Sequence, residues 1–387
     1  MIRVANIIEE GRLGGPQIRM VLVESALKKL KLKKKIKTTF IFPKKNSRKF
    51  QKICNTNSIK YYLFSLRTLN RNFRDILTYL VLFPVEVFML SSFLKKHSFD
   101  IVHVSGGSWQ YKGVLAARIA KIKVVWELND TYTPKITRYV FFLLSRLANS
   151  FIFASERTKK YYSKLLPKKK NYFLIQSPVD INLFDPSLKL KTDKIFKKKN
   201  LKKKIIIGTV GNINPNKGLT TFLKAAKKIF SYDNKVIFVI VGPIYESQKR
   251  YYKYLLNLIK TANIKNVYFI GSRKDVRTIL KSMDIYVCSS DNESSPLAVW
   301  EAMAMKKAVV STDVGDVKKF IKNGVNGFVF KVGDAKGLSK GVIKLINNQM
   351  IRSKFGKSSR EVIKNKLNSN LCARLHAEAY SKIFLDN

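Results

Sequence analysis

Short apolar runs, each followed by a stretch with helical spacing, recur along the whole chain, and this alternation constrains the fold more than any single residue does. A strand that must be followed by a helix returns parallel to its neighbour, with the crossover helices covering the sheet. In the first half, strands are expected at Arg3–Ile8, Thr38–Phe42, Ile101–Val104, Val124–Leu128 and Ser150–Ala154, with helices such as Pro16–Leu30 and Tyr111–Lys121 between them. A second series runs Ile205–Val210, Val236–Val241, Val267–Ile270, Asp284–Cys288, Ala308–Ser311 and Gly327–Phe330. At 387 residues the chain exceeds one ordinary core. The expected class is α/β, with two Rossmann-like domains, each on a parallel sheet, facing a cleft. The expected boundaries are 1–187, a basic linker 188–204, a second domain 205–368, and a terminal helix 369–387 that packs back toward the first domain. Ligands of such sheets lie at the carboxyl ends of the strands.

Composition narrows the partners. The formal charge is +50, from 75 Lys and Arg against 25 Asp and Glu. Lysine runs occur at Lys28–Lys37, Lys168–Lys170 and Lys197–Lys204, alongside abundant Ile, Asn, Phe and Tyr. All of these residues have AT-rich codons, so one reading of the excess is genomic bias. The functional reading is an acidic partner, and an anionic membrane surface suits scattered lysines beside apolar helices. Nucleic acid is not expected, because no zinc-finger spacing, basic zipper or aromatic RNA-binding signature is present. Cys54, Cys288 and Cys372 have neither metal nor redox spacing, which fits a reducing compartment. The start of the chain reads as a strand rather than a signal peptide, so the expected location is cytoplasmic, peripheral at the inner membrane face. Ile76–Leu94 has the length of a membrane span, yet Pro84 and Glu86 sit at its centre. A buried or membrane-surface helix is therefore expected there.

Two constellations carry chemistry. Gly211-Asn212-Ile213-Asn214-Pro215-Asn216-Lys217-Gly218 follows a strand and opens a helix. Glycines let the backbone approach a ligand, and free N–H groups at a helix start suit phosphate; Lys217 adds a full charge. The same run also reads as a plain strand-to-helix turn with a solvated lysine. The second constellation runs from Ser289 through Glu293, Ser294, Ser295, Pro296, Leu297 and Ala298 to Glu301. Ser295 is expected as the helix cap and Pro296 as the first helical residue, leaving the N–H groups of Leu297 and Ala298 for a pyrophosphate. Glu301 lies about 7.5 Å further along the axis, one sugar ring away. Glu293 precedes the cap, where a hexose would sit. The plainer reading is a capped helix with two surface acids.

From Ile205 to about Phe330 these pieces stand in the order seen in one family. The stretch comprises Thr209–Gly218, Asp284–Ser290, the Glu293/Glu301 pair, Ala302-Met303-Ala304, Val309–Gly315 and Asn323-Gly324-Val325-Asn326-Gly327-Phe328. It resembles the retaining glycosyltransferases of family 4, glycosyl transferases group 1, of GT-B architecture. Gly14-Gly15 and Ser177-Pro178-Val179-Asp180 look like family features of the first half. The resemblance implies that Gly14 and Gly15 face the phosphates of a nucleotide sugar and that Lys217 binds the diphosphate. It implies that Glu293 contacts the transferred sugar and Glu301 the ribose, with Gly271 to Arg273 passing near the base. It also implies no metal and no cofactor, the nucleotide sugar (a UDP- or GDP-sugar) being a substrate. Asn212 stands where the family usually has Arg, and Asn129 where a sugar- or phosphate-contacting His is common. Asn cannot take a proton at neutral pH. His103 matches a family His near the cleft and reads equally as a packed strand-end residue.

The implied reaction is front-face transfer with retention to a glycan or lipid-linked glycan acceptor, as in cell-surface polysaccharide or lipopolysaccharide synthesis. Glu293, Lys217, Asn129 and His103 are the candidate catalytic residues. A nucleotide-sugar epimerase or a phosphorylase of the same fold, and a non-catalytic basic membrane-binding protein, are the rival readings.

Overall fold

The computed structural model describes residues 1–32, 35–68, 73–167, 170–191 and 204–386. Much of the expected basic linker, including Lys197–Lys199, and two of the three lysines of the 168–170 run lie outside them. The chain divides into two compact units, Met1–Pro178 with Ser369–Asn387, and Val179–Asn368.

The first unit carries strands β1 (Ile2–Ile7), β2 (Ile36–Pro43), β3 (Tyr61–Phe64), β4 (Ile101–Val104), β5 (Lys123–Leu128), β6 (Ser150–Phe153) and β7 (Asn171–Leu174). They form one parallel sheet in the order β3-β2-β1-β4-β5-β6-β7. Its helices are α1 (Gly15–Lys29), α2 (Arg48–Thr56), α3 (Phe73–Lys96), α4 (Tyr111–Ile119), α5 (Lys135–Ser145) and α6 (Glu156–Tyr162). The chain's last helix, Ser369–Leu385, also belongs to this unit.

One face of the sheet is covered by α3, α4, α5 and α6, packing Val87, Leu90, Val114 and Phe141 onto Val104, Trp126 and Phe151. The other face is covered by α1 and the terminal helix, through Val23, Leu27, Ala379 and Ile383. A sheet buried on both sides favours apolar residues at most positions, which is why β1, β4, β5 and β6 read as largely apolar runs, interrupted by groups such as Asn6, His103 and Glu127. The strands β3 and β7 were not expected. Each is four residues long, sits at a sheet edge and is only half-buried, so neither carries the burial signal of a central strand.

The second unit repeats the plan with β8 (Ile206–Val210), β9 (Ile237–Val241), β10 (Val267–Gly271), β11 (Ile285–Cys288), β12 (Ala308–Thr312) and β13 (Gly327–Phe330). Their order is β10-β9-β8-β11-β12-β13, all parallel. The helices are α7 (Leu219–Tyr232), α8 (Lys249–Thr261), α9 (Val276–Ser282), α10 (Leu297–Ala304), α11 (Val317–Phe320), α12 (Ala335–Ile346) and α13 (Gln349–Lys366); with these assigned, the terminal helix is α14. In each sheet the strand order reverses once, between β1 and β4 and between β8 and β11. Loops at the carboxyl ends of those strand pairs splay apart and form a crevice.

Candidate functional site

At the β8/β11 crevice the two leading loops are stitched together. The N–H of Gly211 continues the ladder onto the Val241 carbonyl, and the N–H of Ile213 reaches the Pro243 carbonyl, which places Asn212 between two fixed points. A single turn over Pro215–Lys217 ends at Gly218, whose φ of +58° is left-handed. A Cβ there would lie 1.9 Å from the Ser289 carbonyl oxygen, so only glycine fits, for both its φ and its close approach. Across the gap, the Ser289 hydroxyl donates to the Lys217 carbonyl at 3.0 Å, and the N–H of Asp291 donates to the Asn216 carbonyl at 2.9 Å.

This stitching holds the Lys217 side chain against bare Gly211, where a Cβ would come within 3.0 Å of Cε. The Lys217 ammonium lies 2.5 Å from Glu293 Oε1, which also accepts from the Ser290 hydroxyl at 3.1 Å. Burial would lower the Lys217 pKa, but the charge and the hydrogen bond of Glu293 together outweigh it and hold the ammonium above its usual value. A third loop completes the support. Thr312 donates to the Ser290 carbonyl at 2.7 Å, and Gly315, at φ +52°, lets its backbone approach the Ser294 carbonyl, where a Cβ would stand 2.0 Å away.

The helix after Glu293 begins one residue later than expected. Pro296 is the N-cap of α10, not its first turn. The Ser295 hydroxyl does not cap the helix but accepts the Trp300 indole N–H at 3.1 Å. Trp300 is wholly buried, with Phe320 edge-on at 5.3 Å, and its indole needs that partner. The two expected backbone groups nevertheless remain: among the described residues, neither the Leu297 N–H nor the Ala298 N–H has a hydrogen-bond partner. At the other end of α10, the buried Arg360 guanidinium donates to the Ala304 and Phe184 carbonyls, which fixes the helix axis. One turn into α10, Glu301 is half-buried with no cation or hydrogen-bond donor on its carboxyl among the described residues, and burial pushes its pKa up to about 8.

Gly271 has φ +69° and open space where a Cβ would be, so its backbone conformation selects glycine there. Arg273 folds back onto the Ile270 and Ser272 carbonyls of its own loop.

In the first unit the expected residues separate. Gly14 is the N-cap of α1 and Gly15 its first residue, with the Gly14 N–H donating to the Gln17 carboxamide at 3.0 Å. His103 is not at an open edge. It is 1% exposed in the middle of the unit, its Nδ1 2.6 Å from the Tyr380 hydroxyl and its Nε2 3.4 Å from Glu127 Oε2. Glu127 is also paired with Arg19 at 3.0 Å and lies near His376. Burial raises the Glu127 pKa, but Arg19 and the two imidazoles outweigh it and hold the carboxyl well below the usual range. This cluster ties α1 and α14 to β4 and β5 and places His103 as the packed strand-end residue that its sequence equally allowed.

Asn129, just beyond β5, has its Oδ1 buried without a partner, and so does Nε2 of Gln110, beyond β4. Gln110 was not expected as a site residue, nor was Asp130, which accepts from the hydroxyls of Ser108 (2.8 Å) and Tyr162 (2.7 Å). A buried hydrogen-bond donor and a buried acceptor thus stay unpartnered near the carboxyl ends of β4 and β5. The sequence signal was Ser105-Gly106-Gly107-Ser108, two glycines at φ +110° following a strand at the β1/β4 reversal.

Two doubly wound units, one with an anion-suited helix start, a lysine and two acids at its reversal point, define an α/β protein of the GT-B class. The profile of the glycosyl transferases group 1 matches residues 191–362, and that of glycosyltransferase family 4 matches residues 33–183. The chain belongs to this family of GT-B glycosyltransferases.

It is 26% identical over 313 residues to the N,N'-diacetylbacillosaminyl-diphospho-undecaprenol alpha-1,3-N-acetylgalactosaminyltransferase of Campylobacter jejuni, covering 76% of this chain and 80% of the relative. It is 26% identical over 298 residues to the UDP-Gal:alpha-D-GlcNAc-diphosphoundecaprenol alpha-1,3-galactosyltransferase of Escherichia coli, covering 72% and 74%. Among solved structures, HepE of Anabaena in complex with UDP and glucose has a TM-score of 0.84 at 17% identity, covering 98% of this chain and 100% of that one, a likeness of fold. The protein is a glycosyltransferase, and the epimerase reading is not favoured.

Proposed function

We propose that the chain transfers a sugar with retention, and without a metal, from a UDP-sugar to a lipid-linked glycan, in the synthesis of a cell-surface polysaccharide or lipopolysaccharide. The observation that carries this is the Lys217–Glu293 pair standing in the same crevice as the unpartnered N–H groups of Leu297 and Ala298 and the unpaired Glu301 carboxyl. A diphosphate would take Lys217 from Glu293, releasing that carboxylate to hold hydroxyls of the transferred sugar, while Glu301 takes the ribose hydroxyls. Lys217 and the start of α10 then stabilise charge on the leaving diphosphate. The acceptor hydroxyl attacks the anomeric carbon on the side from which the diphosphate departs. The C–O bond to the diphosphate breaks as the new one forms, and the acceptor proton passes to the departing phosphate oxygen. The protein's part is positioning and electrostatics.

Uridine is favoured because HepE, similar in fold, holds UDP, and a lipid diphosphate acceptor because both relatives named above act on undecaprenol-linked substrates. In the first unit, Gln110 Nε2 and Asn129 Oδ1 are buried polar atoms without a partner, and acceptor hydroxyls brought to them would satisfy both. The test is a melting-temperature panel of nucleoside diphosphates and their sugars, followed by the anomeric configuration of the product by NMR. A shift with UDP and UDP-sugars and an α-anomer from an α-linked donor are expected. An inverted product, or no response to any nucleoside diphosphate, overturns the proposal.

A further inference from the structure

Helix α3 has its polar centre on the inside. Glu86, 6% exposed, receives the Lys112 ammonium at 2.6 Å and the Arg67 guanidinium at 3.0 Å, and Lys112 itself is fully buried over the Tyr79 ring. The residues that α3 turns outward are Phe73, Leu77, Leu80, Val81, Phe88 and Met89, all more than half exposed. Their spacing of three, four and seven places them on a single stripe along the helix. A soluble amphipathic helix has the opposite arrangement, apolar in and polar out. The length and apolarity of α3 would suit a bilayer span. Its buried ion pair, packed on α4 and the sheet, shows instead a helix fixed to the unit with a greasy outer face.

On the same face of the sheet, α5 adds Ile136, 82% exposed, and Tyr139, 66% exposed. Apart from Asp75, the charged residues exposed on and just beyond these two helices are basic: Arg74, Lys95, Lys96, Lys135, Arg138 and Arg146. Apolar side chains of this size flanked by cations match the interface of an anionic bilayer, whose acyl boundary takes the former and whose headgroups take the latter. A protein partner would have to be acidic to match the predominantly basic rim, whereas an anionic bilayer supplies both the apolar layer and the charge.

We infer that the outer faces of α3 and α5 dock the protein onto an anionic membrane surface, with the helices lying in the interface and not crossing it. The inference rests on these two helices alone and stands apart from the sugar-nucleotide reading. It would bring the enzyme to the surface where a lipid-linked acceptor resides.

The test uses the full chain and three variants at exposed positions, Leu80→Glu, Phe88→Glu and Ile136→Glu, with vesicles of phosphatidylcholine alone or mixed with phosphatidylglycerol. The wild type is expected to sediment with the anionic vesicles at low salt, less at high salt, and weakly with neutral ones. Each variant is expected to lose at least about tenfold in binding. The variants' unchanged melting temperatures and unchanged response to UDP show that the fold and nucleotide site are intact, so failure here and failure of the donor reading are separable. The inference is overturned if the wild type ignores anionic vesicles, if the variants bind as well as it does, or if the wild type is a dimer that these substitutions dissociate.

Discussion

Glu301 supplies a quantitative test of how the nucleotide is held. Its carboxyl has no partner among the described residues, and burial pushes its pKa up to about 8. A ribose offers two hydroxyl donors, and a carboxylate accepts both, whereas the protonated acid must spend one oxygen as a donor. Binding therefore favours the ionised form, and the protein has to release a proton to reach it. By simple titration about 1% of Glu301 is ionised near pH 6 and about 90% near pH 9. If only the carboxylate engages the ribose, UDP affinity rises about 90-fold across that range, or about 2.7 kcal/mol.

UDP itself titrates near neutral pH, and Lys217, whose pKa is raised, stays charged throughout. The comparison is therefore between wild type and Glu301→Gln, in which the phosphate contribution cancels. Calorimetry in two buffers of different ionisation enthalpy counts the protons. Near pH 7 the wild type should release close to one more proton than the variant, about 0.9. Equal proton release would refute both the raised pKa and the ribose assignment.

Other consequences follow from the same geometry. Lys217→Ala removes the lysine that lies against Gly211, and turnover should fall by roughly 10²–10³ with the fold intact; near-normal transfer would contradict its proposed role. Gly218→Ala forces a left-handed φ on a residue whose Cβ meets the Ser289 carbonyl, so UDP should no longer shift the melting temperature as it does for the wild type. Glu127→Ala leaves Arg19 buried without its counter-charge and should cost about 3–5 kcal/mol in denaturant unfolding. The folded pKa of Glu127 is depressed, so its stabilising contribution is present above the unfolded value near 4.5 and is lost as pH falls through the lower folded value. The wild-type and Glu127→Ala unfolding curves should accordingly converge in strong acid. Glu301→Gln should melt above the wild type at alkaline pH, since it removes an ionisation that burial disfavours.

What the sequence disclosed depended on whether neighbouring residues decide a feature. The central strands were legible because residues buried on both sides are mostly apolar, and the order of motifs pointed to the crevice loops. Lys217 and Glu293 were each legible, but not their pairing, which depends on two loops 76 residues apart being stitched by Ser289 and Asp291. The α10 cap was misplaced because Ser295 has the chemistry of a cap, and nothing local says that a buried indole five residues on will claim its hydroxyl. His103 was ambiguous for a similar reason. What covers its side of β4 is α14, whose Tyr380 comes 277 residues later. The stripe of α3 was illegible in another way, since a helix apolar on all sides gives no periodic hint of which side packs.

Buried Glu127 and half-buried Glu301 show how structure distinguishes an acid held by the fold from one left for the proposed ligand. Both are glutamates on central elements of doubly wound units, and burial alone would raise the pKa of either. Around Glu127 the fold supplies a guanidinium and two imidazoles, the carboxylate is satisfied, and its pKa is driven down. A group so fully answered has little left to offer a ligand, and removing it damages the unit itself. Around Glu301 the fold supplies no counter-charge among the described residues, so the chain carries an ionisation cost that nothing inside the protein repays. A cost of that kind persists where something outside the fold answers it, and hydroxyl donors on a ribose are the groups that one turn beyond a phosphate-suited helix start would bring there. The direction of each shift, down at Glu127 and up at Glu301, matches the proposed division of the two acids into scaffold and site.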